Sequence, residues 1–336
     1  MMIKNLLLFA LALCLLSCKK AVHKVEVIDK SKITADTISI EKKNLSDLKI
    51  FDLYSMENSG KYNVFISLSD IYNDSLAIPN DIIENQKSKT FAELKHFELT
   101  GKYREKLLKG TSLSESDTLF LYNYKETKLQ KFPISELKSV ANLNLYTSEG
   151  DEISNYDYMI GFQLNQSENS DEIASKKTNY SLAYFGKENP FSGEKVIPIH
   201  WKKITRDQFP LSLKNQQNLG ETYLAKFENL TYYIQDYKGE YGISKRDFAV
   251  VKDKKVIFTR AYTTGEGAEF SPLNFIDNNN NNNNNNEYND WQWTGKLFKN
   301  KPPVVFGFVS ESFGCESITF LDSSYPVVYI YCDNRH

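Results

Sequence analysis

The sequence predicts a mainly β protein, with an α+β fold as the minority alternative and with antiparallel sheets packed as sandwiches or barrels. The chain is rich in strand-favouring aromatic residues, with 21 Tyr and 21 Phe among its 336 residues. Short runs that alternate apolar and polar residues recur about every ten residues, with polar turns between them. We find no repeat of fixed period, which makes a propeller the less favoured β architecture.

Strand-like alternation recurs from residue 62 to residue 331. Two pairs of these runs are separated by short polar turns and predict hairpins, the first around 125–127 and the second over Asp253 and Lys254. The predicted strands lie at 62–68, 118–124, 128–132, 143–146, 156–164, 180–185, 195–199, 248–251, 255–262, 316–321 and 326–331.

One helical patch is expected near 90–109. Thr90 and Glu93 have the spacing of a capping box, in which each residue satisfies a backbone N–H of the other. The patch continues over 102–109, and Gly110 stands where a glycine commonly ends a helix. We therefore expect a short helical element inside an otherwise β fold.

The body of the chain is long enough for two domains of ordinary size. The segment 165–177 is polar and almost free of apolar residues, which is typical of a boundary. We therefore expect a first mostly β domain at 49–166 and a second at 177–336. The second contains an Asn-rich loop at 277–287, because an asparagine tract has little apolar surface to bury.

Composition and motifs exclude several functions. The formal net charge is -2, and charges of both signs are interspersed, so there is no basic field for nucleic acid. Neither His-Glu-x-x-His nor Cys-x-x-Cys occurs, and we predict no metal and no cofactor. A calcium loop starting at Asp277 also fails, because Asn282 and Tyr288 occupy the positions that require Gly and a bidentate Glu.

The N-terminus has the pattern of a signal peptide. Lys4 provides a positive start, and an apolar run follows from Leu6 to Leu16. This run is about half the length that a bilayer-spanning helix needs, so it predicts a signal core and not a membrane span. Leu15-Leu16-Ser17-Cys18 closes the run and resembles the processing signal of bacterial lipoproteins.

That resemblance implies removal of residues 1–17 and fatty acylation of Cys18. Two or three acyl chains would then anchor the protein stably, and 18–48 would form a tether between lipid and body. An ordinary secretory signal with a chance cysteine is the alternative. Lys19 and Lys20 follow the cysteine where an Asp would resemble an inner-membrane retention signal. We therefore expect the outer membrane, facing the periplasm, in preference to the cell surface or the inner membrane.

The two remaining cysteines predict a disulfide. If Ser323 and Ser324 form a two-residue turn, Cys315 faces Cys332 as a non-hydrogen-bonded pair. Their Cα atoms would then lie about 4.5 Å apart, at the short end of the range that a disulfide accepts. A redox-active pair and two free buried thiols are the alternatives.

Few residues suggest a binding or catalytic site. Trp291 and Trp293 share one face of an extended segment that starts at Tyr288, and these three residues would form an aromatic platform for glycans or peptides if exposed, or core if buried. Ser310 to Gly314 is one Gly short of a nucleophile elbow, and its flanks predict strands. Asp151, Glu152 and Asp157 cluster near a turn, where solvated charge is the simpler interpretation. We predict no catalytic residue.

Together these features predict a lipid-anchored envelope protein that acts by non-catalytic binding or by structural support. The membrane is the expected partner through the anchor, and an envelope protein or a glycan is a second one. The alternatives are a glycan- or peptide-binding accessory lipoprotein that uses the Trp291/Trp293 face, and an envelope hydrolase with carboxylates scattered along the chain.

Overall fold

A computed structural model describes residues 45, 48–58, 60–72, 83–168, 171–213, 217–275 and 290–335. The predicted signal peptide, Cys18, the Asn-rich loop and Tyr288 lie outside these ranges. No helix within them is long and apolar enough to cross a bilayer.

The described residues form three α-helices and 21 β-strands, with short 3-10 turns between some of them. The helices are α1 Phe91–Leu94, α2 Lys102–Thr111 and α3 Asp171–Thr178. The strands are β1 Ile50–Phe51, β2 Tyr54–Asn58, β3 Lys61–Ser67, β4 His96–Glu98, β5 Thr118–Asn123, β6 Lys128–Pro133, β7 Lys138–Leu143, β8 Tyr158–Glu168, β9 Ser181–Gly186, β10 Val196–Pro198, β11 Lys202–Ile204, β12 Leu219–Phe227, β13 Leu230–Gly239, β14 Gly242–Lys252, β15 Lys255–Thr263, β16 Ala268–Phe270, β17 Trp293–Gly295, β18 Val304–Phe306, β19 Val309–Glu311, β20 Ser317–Phe320 and β21 Val328–Tyr331.

Nine strands form the largest sheet, in the order β10-β17-β18-β20-β21-β1-β9-β5-β6. Its pairs are antiparallel except β1 with β21, which run parallel with Ile50 opposite Ile330. Strands β1, β5 and β6 come from the predicted first domain and the other six from the predicted second, so the two segments share this sheet. The polar segment between them forms the end of β8 and helix α3, because a polar composition suits a surface helix as well as a linker.

Two further sheets pack against this one. Five strands in the order β2-β3-β8-β7-β4 enclose a core in which the Phe162 ring lies 5.7 Å from Phe185 of β9. Strands β11 to β15 form a second five-stranded sheet, whose Phe248 lies 5.0 Å from Phe308, next to β18. The remaining pair is β16 with β19. The prediction of a mainly β fold with sandwich- or barrel-like antiparallel sheets is confirmed.

The predictions that depend on residues close together in sequence are mostly confirmed. Both hairpins form, β5 with β6 and β14 with β15, and Thr90 and Glu93 make the capping box of α1. The helical patch is interrupted by β4, and Gly110 does not end it, because α2 runs to Thr111 before Ser112 turns left-handed.

The strand predicted at 143–146 is wrong beyond Leu143, where β7 ends. The Asn144 side chain accepts hydrogen bonds from the backbone N–H groups of Tyr146 (2.8 Å) and Thr147 (3.1 Å). Such a side-chain turn competes with strand pairing and redirects the chain. The consequence is that Asn144 to Tyr146 form part of a cavity wall and do not extend a sheet.

Candidate functional site

A cavity of about 660 Å³ lies beside the ends of β1 and β21. This volume falls within the range of small-molecule sites in proteins. Five segments of the chain supply its lining, and they are 52–54, 144–146, 178–182, 311–316 and 330–335, with Tyr124, Met159 and Phe306 between them.

Asp52 is placed in the cavity by strand β1. Its backbone N–H donates to the Tyr331 carbonyl (2.9 Å), which continues the parallel pairing of β1 with β21 by one residue. The carboxylate accepts a hydrogen bond from the Leu53 N–H (2.8 Å). Burial raises the pKa of Asp52, and the Leu53 hydrogen bond opposes this rise. Asp52 is therefore a carboxyl group held at a fixed position in a poorly hydrated place.

Glu316 reaches the same cavity from the segment before β20. Its carbonyl accepts the Ile330 N–H (2.9 Å), which fixes its backbone against β21. The side chain is accessible to solvent within the cavity. The protein around it displaces water, and the nearby carboxylates of Asp52 and Glu311 add repulsion, so the pKa of Glu316 rises to about 7. Two carboxyl groups with raised pKa values thus line the same cavity, and Asp52 contributes to the rise in the pKa of Glu316.

The C-terminal segment forms another part of the lining. Arg335 donates to Asp333 (2.5 Å) and to the carbonyls of Tyr156 (2.6 Å) and Tyr158 (3.1 Å). The Asp333 N–H donates to Asp70 (2.8 Å). These contacts tie the last described residues to the five-stranded sheet that contains β3 and β8. The positive charge of Arg335 is therefore already paired with Asp333.

The predicted disulfide between Cys315 and Cys332 is confirmed, and it lines the cavity. The two Cα atoms lie 5.6 Å apart. The predicted register is wrong, however, because Ser317 pairs with Tyr329 and Ile318 with Val328, one residue away from the expected pairing.

The turn explains the change of register. It spans more than two residues, since β20 ends at Phe320 and β21 begins at Val328, and Asp322 accepts hydrogen bonds from the Ser324 N–H (2.9 Å) and hydroxyl (2.7 Å). The cysteines therefore lie just beyond the paired residues of β20 and β21, where the disulfide joins the two segments.

An aromatic cluster stands along one wall. Tyr124 and Tyr180 line the cavity, with ring centroids 5.9 Å apart in an edge-to-face arrangement. Trp293 packs edge-to-face on both, at 5.0 Å from Tyr124 and 5.6 Å from Tyr180. Phe306 supports Tyr124 from 5.2 Å. Packing on several sides holds the two tyrosine rings in place.

Trp293 is only 2% exposed, and its indole N–H donates to the Asp290 carbonyl (2.8 Å). It is core, so an exposed platform of Trp291 and Trp293 does not form. Trp291 is half-buried, and its backbone N–H donates to Asn274 (3.1 Å). Trp293 is nevertheless close to the cavity, because it packs directly against Tyr124 and Tyr180, which line it.

No protein-family model, no curated protein and no solved structure matches this chain.

The other residues singled out by sequence form turns. Asp151 accepts the Ser148 N–H (2.7 Å), and Asp157 accepts the Ser154 N–H (2.7 Å), so both carboxylates satisfy local backbone. The segment from Ser310 to Gly314 begins in β19 and continues into a bend and not into a helix, which rules out a nucleophile elbow there. Only its Glu311, Ser312 and Gly314 reach the cavity.

Sequence reasoning missed Asp52, Glu316, Tyr54 and Tyr124. Asp52 and Tyr54 lie two residues apart, but Tyr124 and Glu316 come from distant parts of the chain, and no local spacing links them to that pair. Tyr54 shows how closely they interact, because burial, together with Asp52, Asp333 and Asp70, raises the pKa of its phenol. Tyr54 therefore stays protonated and can donate a hydrogen bond at neutral pH.

Proposed function

We propose that this chain is a lipid-anchored protein of the bacterial cell envelope that binds a small ligand in the cavity beside β1 and β21, without converting it. The anchor is supported by the charged start, the short apolar run and the Leu15-Leu16-Ser17-Cys18 pattern. The Cys315–Cys332 disulfide supports an oxidising compartment, since disulfides persist there and are rare in the cytosol.

The observation that carries the binding proposal is the composition of the cavity. Fixed tyrosine rings, phenol hydroxyls and carboxyl groups converge on one space of about 660 Å³. Aromatic side chains combined with placed polar groups that fix orientation are features of small-molecule sites. The side chains around it are held by packing, hydrogen bonds and a disulfide, so little ordering would be needed when a ligand binds.

The location of the protein is part of the proposal. Acylated Cys18 would hold the body at the periplasmic face of the outer membrane, where the bilayer is one partner and an envelope protein or glycan is another. Replacing Cys18 by Ser tests this part. We expect loss of acyl labelling and movement from the membrane to the soluble fraction, and unchanged labelling and fractionation would refute the anchor.

Native mass spectrometry tests the ligand. The full-length protein would be purified from membranes, and small molecules released on denaturation would be compared with those from Thr178→Trp, which places an indole in the cavity wall. Thr178→Val is the matched control, because it alters the hydroxyl but adds little volume. We expect one compound to be enriched with the wild type and Thr178→Val and depleted with Thr178→Trp. Equal recovery from all three would refute binding in the cavity.

A hydrolase is the second candidate. The specific observation in its favour is the pKa of Glu316 near 7 beside the Asp52 carboxyl group, since a carboxyl group whose pKa is raised toward neutrality can serve acid–base catalysis. A panel of chromogenic glycosides and esters would test it. Hydrolysis by the wild type that both Asp52→Asn and Glu316→Gln abolish would favour the hydrolase over the binding protein.

A further inference from the structure

Negative charge in the cavity exceeds the positive charge that the described residues supply there. Asp52, Glu311, Glu316 and Asp333 line the space, and Arg335 is the guanidinium among them. Arg335 forms an ion pair with Asp333 at 2.5 Å. Among the described residues, Asp52, Glu311 and Glu316 have no Lys, Arg or His partner. Up to three carboxylates thus face the cavity without a counter-ion in the part of the chain that the structure describes.

The aromatic wall formed by Tyr124 and Tyr180 also favours a cation. Tyrosine rings carry negative potential on their faces and attract ammonium groups. The protein's own Lys125 illustrates this, because its ammonium group lies 4.3 Å from the Tyr180 ring centroid and 3.5 Å from the Asp290 carboxylate. Ring and carboxylate together already hold one ammonium at the edge of this wall.

The arrangement suits an organic cation better than a metal ion. In the part of the chain that the structure describes, no three His, Cys, Asp or Glu side chains are placed to hold a metal. The cavity is also many times larger than a metal ion, and Tyr54, Tyr124 and Tyr180 contribute apolar ring surface that a bare ion would not use.

We propose that the cavity binds a small alkylammonium ligand, with Asp52 and Glu316 as counter-ions and the Tyr124/Tyr180 wall in contact with its alkyl and ammonium groups. This inference rests on the proposed binding function. It adds the chemical class of the ligand, which is an amine that is cationic at neutral pH, with a carbon chain short enough to fit the enclosed volume. A polyamine or an amine-terminated fragment of the envelope satisfies this description.

Isothermal titration of the folded protein with spermidine tests the inference. The neutral probe is 1,8-octanediol and the anionic probe is suberate, both of similar length to spermidine. We expect spermidine to bind on the order of tenfold more tightly than the diol, with no binding of suberate, since fixed carboxylates and ring faces attract cations and repel anions.

Two cavity variants and two surface controls complete the test. Asp52→Asn and Glu316→Gln should each weaken spermidine on the order of tenfold, because each removes one counter-ion. Asp207→Asn and Glu126→Gln make the same chemical changes at exposed positions outside the cavity and should leave affinity unchanged. Circular dichroism and thermal unfolding would verify that each variant is folded.

Proton release gives a second measurement. Burial and the neighbouring carboxylates keep part of Glu316 protonated near pH 7, so a bound ammonium group should displace its proton. Titration in two buffers of different ionisation enthalpy should show proton release with the wild type and less release with Glu316→Gln.

The outcomes separate the two proposals. Spermidine that binds no more tightly than the diol, or whose affinity neither variant changes, would overturn the cationic ligand. If the diol still binds and Thr178→Trp blocks it, the cavity remains a binding site for a neutral ligand. If no probe binds and the purified protein carries no compound, the binding function is refuted as well.

Discussion

Breaking the Cys315–Cys332 disulfide should lower the free energy of unfolding by about 3 kcal/mol. The bond joins residues 17 apart in sequence. In the chain-entropy treatment, closing a loop of that size restricts the unfolded chain by about 10 cal/mol/K, which is about 3 kcal/mol at 25 °C. The native fold should survive reduction, because Arg335 and Asp333 still tie the C-terminal segment to Tyr156, Tyr158 and Asp70.

Urea unfolding measures the effect. Wild type is compared before and after treatment with a reductant, and Cys315→Ser/Cys332→Ser is the matched control that the reductant should not affect. We expect the reduced wild type and the double variant to unfold at similar, lower urea concentrations. If oxidised and reduced wild type unfold at the same midpoint with the same slope, or if both thiols alkylate in the unreduced native protein, the reasoning is refuted.

Three further predictions follow from the geometry. The pKa of Glu316 in the folded state is near 7, above its ordinary value of 4.5. The free energy of unfolding should therefore fall as pH rises from about 4.5 to 7 and then level off. Urea unfolding measured at each pH should show this fall for the wild type and not for Glu316→Gln. Arg246→Met should cost about 3–5 kcal/mol, because it leaves the buried Asp236 carboxylate without its partner at 2.8 Å, and Arg246→Met/Asp236→Leu should recover most of the loss by the same assay. Gly161→Ala should lower the thermal midpoint strongly, since its Cβ would lie 1.9 Å from a backbone oxygen of β3, whereas Gly265→Ala, with open space around it, should not.

The parts of the fold that could be predicted are those decided by near neighbours in sequence. The β5–β6 and β14–β15 hairpins follow from alternation around short turns, and the capping box follows from two residues three apart. The cysteine pair was predictable for a similar reason, because only one hairpin separates the two residues. Its register was not, since the Asp322 side-chain hydrogen bonds that shape the turn compete with a two-residue alternative.

The shared sheet and the cavity could not be predicted in this way. They depend on the pairing of β1 with β21, whose partners lie near opposite ends of the described chain and follow no local pattern. Asp52 becomes a cavity residue only because that pairing forms. Trp293 illustrates the same limit of sequence-based prediction. The spacing of Trp291 and Trp293 predicts that they share a face, but only the packing of Tyr124 and Tyr180 on Trp293 shows that its ring is buried.

Strand β1 explains why cavity and core are linked. Ile50 packs into the core on one face of the nine-stranded sheet and Phe51 into the core on the other, where its ring lies 5.2 Å from Tyr331. Asp52 follows Phe51 in the sequence and lines the cavity. Because two buried residues fix the backbone immediately before it, the Asp52 carboxyl group is held where burial raises its pKa. A ligand that supplied a positive charge there would relieve this unfavourable burial, so its binding would raise the free energy of unfolding.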